Sequence, residues 1–182
     1  RQGLALPAGS ADILVKDTPL TLGDLASYHR TKFDPAVIGI TGSVGKTTTK
    51  EMVAAVLSRR FETLKNRGNL NTEVGLPLTV FELTSAHEVA VLEMAMRGLG
   101  QITYLARIAR PKIGIVTNVG PTHLARMGTV EAIARTKREL VEAMPADGLA
   151  VLNGDDARVR AMAAHAPCAV LTYGEGAGCD LR

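Results

Sequence analysis

From residue 36 onward, short runs of apolar residues alternate with longer segments in which apolar residues recur every three or four positions. The apolar runs lie at 36–41, 61–65, 88–94, 112–119, 148–153 and 169–173. The segments with helical spacing lie at 47–60, 76–83, 100–110, 129–144 and 155–165. Strands that are apolar on both faces and separated by helices are typical of a parallel sheet covered on both sides. The pattern predicts a doubly wound α/β domain with a mostly parallel sheet.

Residues 1–35 follow a different pattern, and we expect them to be the end of a preceding domain and a linker helix. The segment ILVKD at 13–17 predicts a short strand. Thr21 predicts the N-cap of a helix that ends before the pair Asp34-Pro35. The chain starts with Arg1 and stops after GAGCDLR, with no predicted helix or strand to close it. We therefore expect the sequence to be a segment of a longer protein.

The composition is that of a globular chain with one core. Its 182 residues are 46% hydrophobic and 21% charged, which is enough apolar material to bury a good core. Lys and Arg number 21 against 18 Asp and Glu, so the net charge is only +3, and aromatic residues are 3% with no Trp. Because nucleic-acid binders carry basic patches and stacking aromatic side chains, we expect no nucleic-acid partner.

Cysteine usage and hydropathy indicate a cytoplasmic protein. Cys168 and Cys179 show no CxxC or Cys/His spacing, so we expect reduced thiols and no structural zinc. No window reaches the roughly 18 apolar residues that span a bilayer, and the N-terminal residues lack the apolar stretch of a secretion signal. We therefore expect no membrane contact.

The segment ITGSVGKTTTK at 40–50 runs from a predicted strand through two glycines into a predicted helix. Such a turn aims successive N–H groups and the helix N-terminus at an anion, while the lysine reaches the β and γ phosphates and the following threonine binds Mg²⁺. The spacing departs from GxxxxGK[ST], because residue 40 is Ile. An ordinary glycine turn would not need this succession of strand, Gly-Lys-Thr and helix. We predict an ATP site formed by Thr41, Gly42, Ser43, Val44, Gly45, Lys46, Thr47 and Thr48.

Other polar residues lie at the carboxyl ends of predicted strands, where ligands bind in an open parallel sheet. Glu93 ends the apolar run VAVLE, and its carboxylate is either a solvated strand end or a Mg²⁺ ligand, the second being favoured beside a phosphate loop. His123 follows the strand at 112–119 by a short turn and is either a packed side chain or a metal ligand. Asn118 supports the loop or contacts the nucleotide.

Lys137 interrupts the apolar stripe of the helix TVEAIARTKRELVEAM. The apolar positions Val130, Ile133, Leu140 and Met144 are spaced by three and four, and Lys137 takes the place of the next apolar residue. Two interpretations remain open. The aliphatic stem snorkels to the helix edge, or burial lowers the pKa and leaves a neutral amine that acts as a nucleophile or reacts with CO₂ to form a carbamate that binds metal.

The segment KNRGNLNTEVGLP follows the second predicted strand and is rich in amides. Its polar residues are Asn66, Asn69, Asn71 and Thr72. Turn chemistry alone accounts for such a composition. The position of the loop at the same sheet edge favours contact with an anionic substrate, for which Asn69, Asn71 and Thr72 are the candidates.

These motifs resemble the Mur ligases of peptidoglycan synthesis, and most closely the branch that adds D-alanyl-D-alanine to a UDP-linked muramoyl tripeptide. The resemblance covers about residues 37–156. It rests on TGSVGKTTTKEM, GNLNTEVGLPLT, VLEMAMRGLGQI, ARPKIGIVTNVGPTHL, VEAIARTKREL and AVLNGDD. Other members of the superfamily tend to carry an acidic residue directly before the histidine, whereas this chain has Thr122 before His123.

The resemblance implies a set of roles at matching positions. Lys46 holds the γ phosphate, and Thr47 with Glu93 binds the Mg²⁺ that bridges the phosphates. His123 and a carbamylated Lys137 hold a second Mg²⁺, which makes Lys46, His123 and Lys137 the candidate catalytic residues. ATP and two Mg²⁺ ions are the implied cofactors. In the three-domain plan of the family, residues 1–35 are the end of the first domain with its linker, residues 36–182 are the central ATP-binding domain, and the C-terminal domain is absent.

The activity that the resemblance implies is ATP-dependent amide-bond formation through an acyl phosphate. The implied partners are UDP-MurNAc-tripeptide and D-Ala-D-Ala, and we expect a cytoplasmic monomer. Two alternatives remain. One is another ligase of the superfamily, of the folylpolyglutamate or cyanophycin type, and the other is a nucleotide-binding module without catalysis. We expect the isolated segment to be inactive, because the family closes its site with another domain.

Overall fold

A single parallel sheet organises the chain. The computed structural model describes residues 9–11 and 13–182. Its strands are β1 (Ala36–Thr41), β2 (Thr63–Lys65), β3 (Val89–Glu93), β4 (Ile113–Val116), β5 (Leu149–Asn153) and β6 (Ala169–Tyr173). They form one six-stranded sheet in the order β2-β3-β1-β4-β5-β6, and every adjacent pair is parallel. The predicted doubly wound α/β fold is confirmed, and each predicted strand from residue 36 onward is present.

Helices connect the strands and cover the sheet. They are α1 (Thr18–Arg30), α2 (Lys46–Leu57), α3 (Gly75–Val80), α4 (Gln101–Ala109), α5 (Leu124–Met127), α6 (Val130–Glu142), α7 (Ala157–Arg160) and a 3₁₀ helix at Ala161–His165. The sequence pattern did not predict α5, because its four residues are too few to show a helical period. Within the described residues, none of these helices has the length and apolar character needed to cross a bilayer.

Strand β1 lies at the centre of the sheet and sets the position of the predicted site. Ile40 is paired with Glu93 of β3, and Thr41 is paired with Val116 of β4. The carboxyl ends of β1, β3 and β4 therefore lie side by side, and the segments that follow them meet at one edge. The order of the strands reverses on either side of β1, which is where ligands bind in open α/β sheets.

The central strands are buried on both faces. On one face, Ile38, Ile40 and Val91 pack with Ala54 of α2. On the other face, Val37 and Leu92 belong to the larger apolar cluster that α4 and α6 complete. Burial on both faces explains why these strands appear in the sequence as continuous apolar runs.

The expectations for the first 35 residues were partly wrong. Residues 13–17 form no strand, and Ile13 and Leu14 are each 82% exposed, because no strand within residues 9–11 and 13–182 lies beside them to complete a hydrogen-bonded ladder. The helix begins at Thr18, and its N-cap is Asp17, whose Oδ1 accepts a hydrogen bond from Leu20 N at 2.9 Å. Thr21 lies inside α1. A proline in the first turn favours this earlier start.

Arg30 attaches the end of α1 to the sheet domain. Its side chain is 6% exposed, and its guanidinium donates to Ala109 O at 3.0 Å and to Pro35 O at 3.3 Å. The helix thereby contacts the end of α4 and the start of β1. A buried guanidinium satisfied by backbone carbonyls fixes the direction in which α1 leaves the domain.

Glu139 joins α6 to the start of α4. Its side chain is 7% exposed, and its carboxylate accepts hydrogen bonds from Gly100 N at 2.7 Å and from Thr103 N at 3.0 Å. The first N–H groups of a helix lack partners within the helix and favour negative charge. Glu139 therefore caps α4 from a neighbouring helix and holds the two helices together.

We expect Glu139→Ala to lower the free energy of unfolding by about 2 kcal/mol, because buried amides of α4 lose a charged acceptor. Urea denaturation followed by circular dichroism measures the change. Glu142→Ala is the control, since this exposed glutamate on the same helix pairs with Arg138 and should cost less than about 0.5 kcal/mol. Equal losses in the two variants would contradict the capping role.

Candidate active site

The loop between β1 and α2 has the backbone that its glycines predict. Gly42 has φ 152° and Gly45 has φ 83°, which are conformations that side chains other than glycine rarely adopt. At Gly42 there is also no room, since an added Cβ would lie 1.9 Å from Thr117 Oγ1. The loop therefore depends on both glycines for its shape.

The segment after β4 holds the front half of the loop. Asn118 Oδ1 accepts from Val44 N at 2.9 Å, and Asn118 Nδ2 donates to Val44 O at 2.9 Å. Thr117 Oγ1 also donates to Val44 O at 2.7 Å, and Ser43 N donates to Asn118 O at 3.0 Å. The amides of Ser43 and Val44 are thus engaged within the protein, and both polar atoms of the Asn118 side chain support the loop.

Two residues of the segment LNGDD at 152–156 hold the chain that follows β4. Asn153 Nδ2 donates to Thr117 O at 2.8 Å, and Asp156 Oδ2 accepts from Val119 N at 2.7 Å. The end of β5 and the cap of α7 thereby contribute to the shape of the phosphate loop. This explains a polar motif to which the sequence pattern gave no role.

The second half of the loop leaves its amides available. The first hydrogen bond at the start of α2 runs from Thr49 N to Gly45 O at 2.9 Å, so the amides of residues 45–48 precede the bonded part of the helix. These amides belong to Gly45, Lys46, Thr47 and Thr48. An array of unpaired N–H groups at a helix N-terminus is an anion-binding site.

Lys46 folds over the loop from the first turn of α2. Its Nζ donates to Gly42 O at 2.9 Å and to Ser43 O at 3.2 Å. Partial burial lowers the pKa of Lys46, and the nearby carboxylate of Glu93 opposes that shift. The ammonium therefore lies across the loop, within electrostatic reach of the Glu93 carboxylate.

Glu93 is a buried carboxylate with defined partners. Its side chain is 2% exposed; Oε2 accepts from Thr47 Oγ1 at 2.8 Å, and Oε1 accepts from Asn71 Nδ2 at 2.7 Å. The structure brings together one residue from β3, one from α2 and one from the loop after β2. The sequence named all three residues but did not predict this direct contact between them.

Asn66 and Lys50 form a layer behind Glu93. Asn66 Oδ1 accepts from Glu93 N at 2.9 Å, and Asn66 Nδ2 donates to Glu93 O at 3.0 Å. Lys50 is completely buried and donates from Nζ to Asn66 O at 2.7 Å. The sequence pattern did not single out Lys50. The available signal was its place four residues before Ala54, on the face of α2 that is turned toward the sheet.

Lys137 is buried, as its place on the apolar stripe of α6 predicts. The side chain is 2% exposed, and within the described residues its Nζ has no hydrogen-bond or ion-pair partner. Burial, and secondarily the charge of Lys46, lowers the pKa of Lys137 to about 7. A large part of the amine is therefore neutral near pH 7. Burial of the stem with 2% of the residue exposed is compatible with either interpretation of the sequence.

His123 lies near these groups on an exposed turn. It has φ 61° and forms the N-cap of α5. Partial burial lowers the pKa of His123, and the positive charges of Lys137 and Lys46 lower it further. The three side chains are thus close enough to influence one another electrostatically.

A small cavity joins His123 to the asparagine loop, the segment 66–74 between β2 and α3. Its volume is about 180 Å³, and its lining includes Asn69, Asn71, Thr72, Arg97 and His123. The predicted substrate-binding residues therefore converge at the same edge of the sheet as the phosphate loop. A larger cavity of about 760 Å³ lies at the amino ends of the strands and contains none of the predicted site residues.

Comparison with known proteins places this architecture in a family. A family model described as the Mur ligase middle domain matches residues 40–182. The UDP-N-acetylmuramoyl-tripeptide--D-alanyl-D-alanine ligase of Synechocystis sp. is 49% identical over 147 residues, which are 81% of this chain and 32% of the relative.

Two solved structures share the fold along almost the whole chain. The crystal structure of MurF from Acinetobacter baumannii has a TM-score of 0.87 and 36% identity, and the match covers 95% of this chain and 39% of that one. The structure of MurF ligase from Thermotoga maritima in complex with ADP has a TM-score of 0.86 and 36% identity, with 95% and 40% covered. The chain spans about a third of the length of the curated relative. Because the family model matches most of its residues, the chain belongs to the Mur ligase family through its middle domain.

Proposed function

We propose that the carboxyl edge of the sheet binds ATP with its phosphates on the loop between β1 and α2. The observation that carries this proposal is the set of amides at residues 45–48 that have no partner among the described residues, with the Lys46 ammonium held on the carbonyls of Gly42 and Ser43 in the same loop. A triphosphate supplies the negative charge that such a helix N-terminus favours. The presence of ADP in the T. maritima relative supports an adenine nucleotide as the ligand.

Thr47 and Glu93 are our candidates for a first Mg²⁺ site. Their oxygen atoms lie 2.8 Å apart, and adjacent ligands of an octahedral Mg²⁺ ion are separated by about 2.9 Å. Mg²⁺ needs only one or two protein oxygens beside the phosphates. This agrees with the finding that no group of three or more His, Cys, Asp or Glu side chains forms a metal cage within the described residues. Bound there, Mg²⁺ would neutralise charge on the phosphates.

Lys137 and His123 are our candidates for a second Mg²⁺ site, provided that Lys137 carries a carbamate. An unmodified amine and an imidazole offer only nitrogen, whereas Mg²⁺ prefers oxygen ligands. The lowered pKa of Lys137, about 7, makes its amine reactive toward CO₂ at neutral pH. A carbamate would supply the missing oxygens and also remove a buried positive charge beside Lys46.

We further propose that the reaction is the joining of D-Ala-D-Ala to UDP-MurNAc-tripeptide. The γ-phosphoryl group of ATP passes to the terminal carboxylate of the tripeptide and ADP leaves. The amine of D-Ala-D-Ala then attacks the carbonyl carbon of the acyl phosphate, loses a proton, and phosphate leaves. The name of the relative at 49% identity supports this choice of substrates. Lys46 stabilises the transferring group, whose charge would otherwise oppose the approach of the carboxylate.

The asparagine loop is the proposed approach for the acceptor. Asn69 and Thr72 line the small cavity beside His123, so they can contact the carboxylate that is phosphorylated. The amide of Asn71 is already bonded to Glu93. We therefore assign Asn71 to holding that carboxylate and substrate contact to its two neighbours.

The domain division remains a proposal as well. We assign residues 1–35 to the end of a first domain with its linker helix and residues 36–182 to the central ATP-binding domain. Residues 1–8 and 12 lie outside the described part of the chain. The contacts of Arg30 with Ala109 and Pro35 support α1 as a linker that is fixed to the central domain.

Lys46 can be tested by substitution in the complete ligase that contains this segment. We expect Lys46→Ala to lower kcat by about 1000-fold or more, because the transferring phosphoryl group loses its cation. Release of phosphate with UDP-MurNAc-tripeptide and D-Ala-D-Ala measures it. The free energy of unfolding should change by no more than about 1 kcal/mol, since the substitution removes only two partly solvated hydrogen bonds.

Lys112→Ala is the matched control, because this exposed lysine pairs with Asp147 at the opposite edge of the sheet. Ligation by Lys46→Ala at a rate near wild type would contradict the phosphate-loop assignment. Turnover of folate with glutamate by the unmutated enzyme, without turnover of the tripeptide, would favour the folylpolyglutamate alternative.

A further prediction concerns the carbamate on Lys137. In the complete ligase we expect Lys137→Ala to be inactive and to recover part of its activity when short carboxylic acids such as acetate are added, because a carboxylate can replace the carbamate. Lys46→Ala should not recover under the same conditions. Absence of rescue, together with no carbamate signal from ¹³C-bicarbonate in the NMR spectrum of the wild-type protein, would contradict the modification.

Another prediction concerns the 182-residue chain by itself. We expect it to bind ADP and ATP in the presence of Mg²⁺ without releasing phosphate, because a site that another domain must close is incomplete. Calorimetry and a phosphate assay on the same samples measure the two properties. Sustained ATP hydrolysis by the chain would show that the site needs no further domain.

A further inference from the structure

A fully buried lysine lies behind the proposed Mg²⁺ site and has no part in the mechanism described above. Lys50 is 0% exposed, although it belongs to α2, whose outer face is open to solvent. Removing an ammonium from water is costly unless its donors are satisfied. An apolar side chain of similar length would fill the same space without that cost, so packing alone does not explain a lysine here.

The contacts of Lys50 lead directly to Glu93. Its Nζ donates to Asn66 O at 2.7 Å and pairs with Glu51 Oε1 at 3.1 Å. The side chain of Asn66 then spans both backbone groups of Glu93, as acceptor from N at 2.9 Å and as donor to O at 3.0 Å. One more bond, from Asn66 Nδ2 to Leu70 O at 2.8 Å, ties in the asparagine loop.

The position of the Glu93 carboxylate depends on these backbone contacts. On one side, β1 still holds this end of β3, because Ile40 is paired with Glu93 and Met94 N donates to Ile40 O at 2.8 Å. On the other side, the pairing of β2 with β3 stops at Lys65 and Val91. The side chain of Asn66 takes the place of the missing β2 backbone beside Glu93 and thus acts as a clamp. Lys50 anchors the clamp, because Asn66 O is the only atom of residue 66 that α2 contacts through a hydrogen bond in the described structure.

We propose that Lys50 is a positioning residue for the Mg²⁺ ligand Glu93 and acts through the Asn66 clamp. The inference rests on the proposed ATP and Mg²⁺ site. Residues that orient a metal ligand from behind typically change metal affinity by about 10–100-fold when they are removed. Loss of Lys50 therefore weakens the response of nucleotide binding to Mg²⁺ and leaves the contacts of the phosphate loop with the nucleotide unchanged.

The test uses the 182-residue chain and two arms of calorimetry with ADP. One arm contains EDTA and no Mg²⁺, and the other contains a series of Mg²⁺ concentrations. For Lys50→Met we expect the Mg²⁺ concentration that gives half of the gain in ADP affinity to rise about 10-fold. In EDTA, the ADP affinity should remain within about 2-fold of wild type.

Lys65→Met is the matched control. Lys65 pairs with the same carboxylate, Glu51, from the surface, and its Nζ has no bond to Asn66 or Glu93 in the described structure. The substitution thus removes the same charge from the same neighbourhood. We expect both arms to match wild type.

Asn66→Ala tests the same chain of contacts at its second residue. It retains the backbone carbonyl that Lys50 contacts and removes the clamp on Glu93, so it should reproduce the shift in the Mg²⁺ series. The double variant should be no worse than either single variant, because both act in one chain of contacts. If Lys50→Met does not fold, the Mg²⁺ series of Asn66→Ala alone tests whether the contacts behind Glu93 set the Mg²⁺ affinity.

The other outcomes would contradict either the role of Lys50 or the Mg²⁺ site itself. Equal weakening of Lys50→Met in both arms, or an unchanged Mg²⁺ series in Lys50→Met and Asn66→Ala, would show that Lys50 serves stability alone. Failure of the wild-type chain to bind ADP more tightly with Mg²⁺ would instead refute the proposed Mg²⁺ site, and the role of Lys50 would fall with it.

Discussion

The carboxylate of Glu93 is buried at the end of a strand, and much of the site follows from the need to satisfy it. A buried charge is tolerated only where donors or cations surround it. Thr47 of α2 and Asn71 of the loop after β2 donate to its two oxygens. Three segments that are distant in sequence are therefore held at fixed relative positions by one acid. Any ligand that binds between them meets a preorganised set of oxygens and amides.

The phosphate loop is stabilised in a similar way from its other side. Asn118 bonds both backbone groups of Val44, and Asp156 bonds Val119. This support engages the front amides of the loop and leaves the amides at the start of α2 available. The two sets of amides differ in what they can bind, since an amide that is paired within the protein cannot also donate to a phosphate. The proposed anion binding therefore falls to the helix N-terminus, where the helix dipole would add to the attraction.

Positive charge collects near Glu93, whose carboxylate partly offsets it at Lys46. Burial is the main reason that the pKa values of His123 and Lys137 are lowered, and the charges of Lys137 and Lys46 lower that of His123 further, as Lys46 does for Lys137. Such mutual repulsion is unfavourable in the protein alone. It is relieved when a triphosphate binds and when a buried amine becomes neutral or carbamylated. The electrostatic arrangement thus stabilises the chain with its proposed ligands more than the chain without them.

The apolar pattern determined the fold by itself, because strands buried on both faces leave continuous runs: β1 and β6 have the predicted bounds. It failed at residues 13–17, where no strand of the described part of the chain lies alongside. The sequence also identified the phosphate loop, Glu93 and Lys137, because each breaks a local rule of glycine use or burial. Only the tertiary structure decided that Lys50 and Asn66 stand behind Glu93, because those contacts join residues whose separation in sequence carries no local periodic signal.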